Sequence, residues 1–262
     1  MLNATQLAEF ERDGIVRLPA AFGADAAANM REVIWRELAT RHSIERDRPE
    51  TWPQGAAWSL KNSKRSRVFD SILSPAVVDA LDALFGAGRW QSPKNWGNVL
   101  VTFPDAEEWT VPHRIWHSDF PPTLRPDQVD VVKVWAVCSG IQPGGGGTPQ
   151  LAGSHRLFAR WLAANPQTDY KRAKLGFLQS HPWLRSLSKN TDELDAAARI
   201  SMFTNESDVD GLPARVVETT GEPGDVWITH PWVFHSIAVN ADVVPRMQRS
   251  AAIWRRAPEF AA

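Results

Sequence analysis

The chain of 262 residues has one cysteine, one tyrosine, almost no net charge and no long apolar run. Cys138 alone cannot close an intramolecular disulfide, and it excludes any Cys-rich zinc or iron–sulfur site. The 29 basic and 30 acidic residues leave a formal net charge of -1. That balance argues against a nucleic-acid partner or a binder of anionic membranes, because both need surplus Lys and Arg to meet phosphate. No stretch approaches the ~18 uninterrupted apolar residues of a bilayer span. The opening segment MLNATQLAEFERDG carries acids where a secretory leader has its apolar centre, so the expected address is the cytoplasm.

What is present suffices for a core. Hydrophobic residues make up 43% of the chain and glycine adds 16 positions, a globular balance for an expected single domain over 1–262. Tryptophan is the unusual residue, 13 against the one tyrosine. Each indole has a large apolar face and one N–H that needs a partner when buried. Two roles are open for these rings: ordinary packing, or the lining of a pocket for a flat or apolar substrate.

The texture of the chain changes near Asn98. Residues 1–97 read as mostly helical: Thr5 can cap a helix over 6–13 that Gly14 ends, Asp25 can cap a second through Arg41, and Ser74-Pro75 opens a third that stops at Gly86. Between them, 46–67 is irregular and holds Trp52, Trp58, Lys61, Lys64, Arg65 and Arg67, either a solvated basic face or a lid over an acidic substrate. Ile15, Val16 and Leu18 form an apolar run before Pro19. From Asn98 onward, short runs split by Gly, Pro, Asn or Asp predict strands over 99–103, 115–120, 129–139, 148–152, 215–218, 225–229, 233–240 and 249–254. The expected fold is mainly β, a double-stranded β-helix (a cupin-like jelly roll) with its core in 98–153 and 211–256. Residues 154–210 interrupt it with helical text, LFARWLAAN and TDELDAAARI, and a polar loop TNESDVDG; they are expected to form an insertion over the barrel mouth.

Three groups of residues carry chemistry. In Trp116-His117-Ser118-Asp119-Phe120, a strand would turn His117 and Asp119 to one face, where an imidazole and a carboxylate can share a divalent metal. Taken alone, H-x-D is a weak signal, more often a surface pair or a core histidine bonded to a neighbour. Downstream, Gly224-Asp225 feeds an apolar strand, the chain turns near Pro231, and a further strand carries His235. A third ligand from that distant strand would complete two histidines and one carboxylate on one face, the set that leaves open positions on non-haem Fe(II). Arg246 follows His235 by eleven residues. Its planar fork, if buried, suits a dicarboxylate whose other end reaches the metal.

In this order the motifs resemble the phytanoyl-CoA dioxygenase-like family of Fe(II)- and 2-oxoglutarate-dependent oxygenases. The resemblance begins at Phe10-Glu11-Arg12-Asp13-Gly14-Ile15-Val16 and continues through WHSDF, which is also similar to the ectoine hydroxylase branch. It runs on through Gly153-Ser154-His155-Arg156 to the H-x4-N-x4-P-R stretch from His235 through Asn240 to Arg246. It implies His117, Asp119 and His235 as Fe(II) ligands and Arg246 as the grip on the far carboxylate of 2-oxoglutarate. It also implies Trp135, eighteen residues after His117, as an indole beside the co-substrate, and Thr102 as a polar contact from a neighbouring strand. The implied activity is a dioxygenase that consumes O2, hydroxylates an unactivated C–H of a small organic molecule and releases succinate and CO2. Ile237 departs from the small residue many relatives carry two positions after the distal histidine. Asp119 stands where halogenating relatives have a small residue, so halogenation is not implied.

Rival uses of the same residue types are weaker. His230 is a possible alternative ligand five residues before His235, and His113 could pair with His117 only on a helix, which Pro112 argues against. His155 reads as structural and Cys138 as a small buried apolar residue. Arg249 competes with Arg246, but on a regular strand the two face opposite sides. The glycines at 144–147 are followed by no Lys-Ser/Thr pair and read as a turn, not a phosphate loop. Two other classes stay open: a non-catalytic jelly roll that binds metal or a small ligand, and a zinc hydrolase built on the same ligands.

Overall fold

The computed structural model describes residues 2–54, 60–125, 128–189 and 194–256; Trp58 lies outside them. Helix α1 (Ala4–Asp13) is opened by Asn3, not by Thr5. The Asn3 side chain accepts from the Gln6 N–H at 2.9 Å and the Gln6 side chain accepts from the Asn3 N–H at 3.0 Å, a reciprocal box that starts the helix earlier than the expected Thr5 cap. Gly14 ends the helix at φ +73, where a Cβ would lie 2.5 Å from His155 Nδ1. Helix α2 (Ala24–His42) starts after Gly23 with no side-chain cap, and Asp25 sits in its first turn, where a carboxylate favours the helix dipole. The irregular stretch that follows contains the short helix α3 (Lys61–Arg65) and two 3-10 turns, Pro49–Thr51 and Arg67–Ile72. Helix α4 (Pro75–Phe85) has the Ser74 cap and the Gly86 stop.

The described residues contain nine strands, in chain order β1 (Ile15–Leu18), β2 (Asn98–Thr102), β3 (Val131–Val137), β4 (Pro149–Ala152), β5 (Ser207–Val209), β6 (Leu212–Glu218), β7 (Val226–Thr229), β8 (Phe234–His235) and β9 (Arg246–Trp254). They form two antiparallel sheets among the described residues, ordered β1-β7-β3-β9-β2 and β5-β6-β4-β8. The residues after β4 supply α5 (Ser154–Ala164), α6 (Tyr170–Ser180), α7 (Pro182–Leu187) and α8 (Ala196–Thr204). No described helix is long and apolar enough to cross a membrane.

The period-two alternation of the strands sorts side chains into three apolar clusters. Val134, Ile228 and Met247 of the large sheet face the N-terminal helices through Met30, Ile34 and Leu81. Leu151, Val216 and Phe234 of the small sheet face the later helices through Phe158, Phe177 and Phe203. Phe158 meets Phe177, Trp232 and Phe234 at 5.2, 5.6 and 5.2 Å, and each such pair adds ~0.5–1.5 kcal/mol beyond its buried area. The opposite faces of the two sheets meet in the third cluster, where Ile15, Trp135 and Trp227 pack against Ala152 and Val217. The space between the sheets is therefore walled by the residues that alternate with the two outer clusters.

Three strand expectations are corrected. Residues 115–120 form no strand: Ile115 sits at φ +60, which breaks extended backbone, and only His117 makes a bridge. The expected strand over 233–240 shrinks to β8, with an isolated bridge between Asn240 and Gly145. The polar text TNESDVDG contains β5, paired with β6 through a turn at Asp210 and Gly211, both at positive φ.

Candidate metal centre

His117 and His235 are joined by a single antiparallel bridge. The His117 N–H donates to the His235 carbonyl at 3.0 Å and the His235 N–H donates back at 2.8 Å. Directly opposed residues share a face, and the two rings lie 4.4 Å apart. The Asp119 carboxylate lies 3.7 Å from His117 Nε2 and 3.5 Å from His235 Nε2. One ligating atom from each residue fits within a 4.8 Å cluster.

The second ring nitrogens define what these histidines can do. His117 Nδ1 lies 2.8 Å from the Ile115 carbonyl and His235 Nδ1 lies 3.3 Å from the Val233 carbonyl. A carbonyl only accepts, so each Nδ1 carries the proton; in the neutral ring the Nε2 lone pair then faces Asp119, the tautomer a metal ligand needs. The Ile115 carbonyl reaches His117 through a positive φ that a β-branched residue adopts at a cost of ~1–3 kcal/mol. Burial pushes His235 down to about 3, against the opposing pull of Asp119, and keeps the ring neutral. Burial works against the Asp119 carboxylate as well, but the attraction of its neighbours outweighs it and holds its pKa below the usual carboxylate range. With His235 neutral, Lys133 is the main cation there. It pairs with Asp119 and stands 4.5 Å over the Trp135 ring. Lys133 was not anticipated as part of the site, although a lone Lys in step with Trp135 within VVKVWAV marks a strand residue turned inward.

Arg246 and Arg249 lie on opposite faces of β9. Arg249 sits 4.0 Å over the Phe69 ring and donates to the Lys64 carbonyl at 2.9 Å, on the side of the N-terminal helices. Arg246 stands opposite Thr102 in the β2–β9 register, donating to Thr102 Oγ1 at 2.8 Å and to Gln248 Oε1 at 3.2 Å. Its Nε has no partner among the described residues. Burial lowers Arg246 to about 10, opposed by the nearby Glu218, so it is a cation at neutral pH. Gln248 extends the network by accepting from Thr148 at 3.2 Å and donating to Thr219 at 3.3 Å. Glu218 is itself raised by burial and accepts from the Gly144 and Gly147 N–H groups at 2.8 and 2.9 Å. The glycine turn thus cradles the chain's own carboxylate.

The structure brings His117, Asp119, His235 and Trp135 into one cluster and Arg246 and Thr102 into another. Trp135 meets the His235 ring edge-on at 5.2 Å and donates its N–H to Thr229 Oγ1 at 3.1 Å. Trp52 packs instead against Trp35 and Phe103, outside the sheets, and Lys64 reaches Asn98. His230 lies 4.8 Å from His155, in a separate cluster with Phe10. A surface groove of about 1030 Å³ beside Arg89, Arg125 and Arg255 contains none of the six residues.

No protein-family profile matches the chain, and no curated protein matches it. Solved structures do. HygX from Streptomyces hygroscopicus, crystallised with nickel and 2-oxoglutarate, is 16% identical with a TM-score of 0.55 over 99% of this chain and 88% of its own. EvdO2 from Micromonospora carbonacea var. aurantiaca is 16% identical with a TM-score of 0.54 over 100% of this chain and 94% of its own. SnoN, a non-haem alpha-ketoglutarate-dependent epimerase of nogalamycin biosynthesis, is 16% identical with a TM-score of 0.52 over 98% of this chain and 86% of its own. The chain is therefore similar in fold to these three proteins, with mainly antiparallel sheets flanked by helices.

Proposed function

We propose that the chain is a jelly-roll oxygenase dependent on Fe(II) and 2-oxoglutarate, related to the phytanoyl-CoA dioxygenase-like proteins and acting on a small organic molecule. The observation that carries this reading is the donor set: two histidine Nε2 lone pairs and one ionised carboxylate converge, and a buried arginine with an open donor lies within the same fold. Structural neighbours support it, since HygX is crystallised with nickel and 2-oxoglutarate and SnoN with Fe3+, alpha ketoglutarate and nogalamycin RO.

In this reading His117, Asp119 and His235 hold the metal on one face. Bound Fe(II) supplies the O2-dependent redox chemistry that side chains lack, coupling loss of CO2 from the oxo-acid, with release of succinate, to C–H oxidation. The remaining work belongs to the chain. Arg246 and Thr102 hold the far carboxylate, Trp135 walls the space beside His235, and Asp119 exchanges Lys133 for the metal. The apolar lining from Trp135, Trp227 and Val217 excludes water from the reacting centre. Hydroxylation of an unactivated C–H is the simplest outcome of such an arrangement. The helices of 154–210 are the proposed source of substrate selectivity.

The test is anaerobic titration of the metal-free protein with Fe(II) and then 2-oxoglutarate, following the visible charge-transfer band of the chelated oxo-acid. The wild type should develop the band, His235→Ala should abolish it and Arg246→Ala should raise the concentration needed. A wild type without a band at saturating metal would remove the oxygenase and leave a binding protein.

A further inference from the structure

We propose that Gln150 is a further binding residue of this site, whose side-chain amide donates to the metal-proximal end of the oxo-acid, opposite the end held by Arg246. The assignment rests on the oxo-acid reading above. Gln150 lies in β4, the strand between β6 and β8, and is fully buried. The register sets it directly opposite His235 on one side and Val217 on the other. Leu151 packs outward with Phe234, whereas Ala152 belongs to the cluster between the sheets, so alternation turns Gln150 inward with Ala152 and His235.

Neither Nε2 nor Oε1 of Gln150 has a partner among the described residues. Such a group costs stability, and native chains pair nearly every buried amide. Neither His235 nor Thr148, the polar residues beside it on the inner face, bonds the amide, and Val217 and Ala152 are apolar, so packing alone would be served better by Leu or Met. The amide is therefore placed for something the chain does not itself supply.

Its position says what. Thr148, two residues earlier on the same face, bonds Gln248 at 3.2 Å, and Gln248 accepts from Arg246 at 3.2 Å. Along β4 the inner wall thus passes from the Arg246 network at Thr148 to the metal ligand His235 at Gln150, about 7 Å further on. A five-carbon diacid is of similar length, so a molecule held in the Arg246 network extends its other end along this wall toward Gln150. The NH2 group is a donor suited to an oxo or carboxylate oxygen, and Gln150 carries no charge to compete with the metal.

The full-length protein is measured with Ni(II), which leaves the oxo-acid unreacted, and with Fe(II) under anaerobic conditions. Gln150→Met keeps the shape and removes the hydrogen bonds; Gln150→Glu keeps the shape and adds like charge. The Met variant should melt at a higher temperature without ligands, bind Ni(II) as the wild type does, bind 2-oxoglutarate about tenfold more weakly and shift the maximum of the charge-transfer band. The Glu variant should weaken the oxo-acid about a hundredfold. Wild-type oxo-acid affinity and an unshifted band in both variants would overturn the assignment alone, as would a Met variant that only loses thermal stability. Failure of the wild type to bind 2-oxoglutarate beside Ni(II) would overturn the oxygenase reading and this assignment with it.

Discussion

The molecule holds two histidine pairs of nearly the same spacing, His117 with His235 at 4.4 Å and His155 with His230 at 4.8 Å, and only the first is arranged for chemistry. Burial keeps His235, His155 and His230 neutral. The difference lies in what surrounds the rings. In the first pair both Nδ1 atoms are tied to backbone carbonyls, both Nε2 atoms face Asp119, and Lys133 maintains the carboxylate as an anion. In the second pair, His230 Nδ1 accepts from the Trp232 N–H at 3.2 Å and His155 Nε2 lies 3.2 Å from the Glu11 carbonyl. The nearby carboxylate there, Asp13, is engaged by Arg12 and Arg215 at 2.8 Å each. Gly14 closes the remaining space, since a Cβ at that position would strike both His155 and Val233. Proximity of imidazoles is thus insufficient; what separates a ligand pair from a packing pair is that both Nε2 atoms converge on one carboxylate, held by a single lysine and not by two arginines.

The largest effect is expected from breaking that distinction at Asp119. Asp119→Ala should lower Ni(II) affinity by about a thousandfold in calorimetric titration, because two neutral imidazoles remain without the anion. His155→Ala should leave Ni(II) affinity unchanged and appear only as lost stability. Equal losses in both variants would erase the comparison.

Next in size is an acid effect at the packing pair, read from the part of it that His155 contributes. Burial lowers His155 to about 4 from an ordinary value of 6.5. The unfolded chain takes up a proton near pH 6.5 and the folded chain does not, so stability falls as the pH drops from 6.5 to about 4. The loss attributable to this ring is on the order of 3 kcal/mol. His155→Gln should flatten that part of a pH series of urea unfolding curves. An unchanged slope would show that the ring is already protonated in the folded state.

How much of this was legible in the sequence follows from which interactions are local. The helix stops at Gly14 and Gly86 and the Ser74 cap were visible because each depends on neighbouring residues. His117 and Asp119 were visible as a pair, yet the expected reason, alternation along a strand, is not what positions them. The backbone breaks at Ile115, and a single bridge to a strand far along the chain fixes His117. Lys133 and Gln150 went unnoticed because composition does not reveal a polar residue turned inward; that depends on which face of the strand is covered. The opposite faces of Arg246 and Arg249 were legible because β9 is regular.

Within the site, Arg246→Lys tests the fork. It keeps the buried charge but loses the planar set of donors shared by Thr102 and Gln248, so 2-oxoglutarate affinity should fall by about ten- to thirtyfold with Ni(II) affinity intact. A matching loss of Ni(II) affinity would mean that Arg246 supports the fold of the metal end and not the oxo-acid.

The smallest expected effect is the most diagnostic of how the first pair is held before metal arrives. Lys133 places a positive charge against the same carboxylate a divalent cation must use, and it is partly open to solvent. Solvent screening limits its worth to about 1 kcal/mol. Lys133→Met should therefore raise Ni(II) affinity by only about three- to fivefold, and the gain should shrink at high salt because screening already weakens the competing charge. The ring-face contact with Trp135 is lost in the same variant, which should lower metal-free stability slightly and leave the metal-bound form nearly unchanged. A fall in metal affinity would reverse the assignment: Lys133 would then be organising Asp119 for the metal instead of standing in for it, and the contrast with the Asp13 cluster, where two arginines hold a carboxylate permanently, would lose its sharpest element.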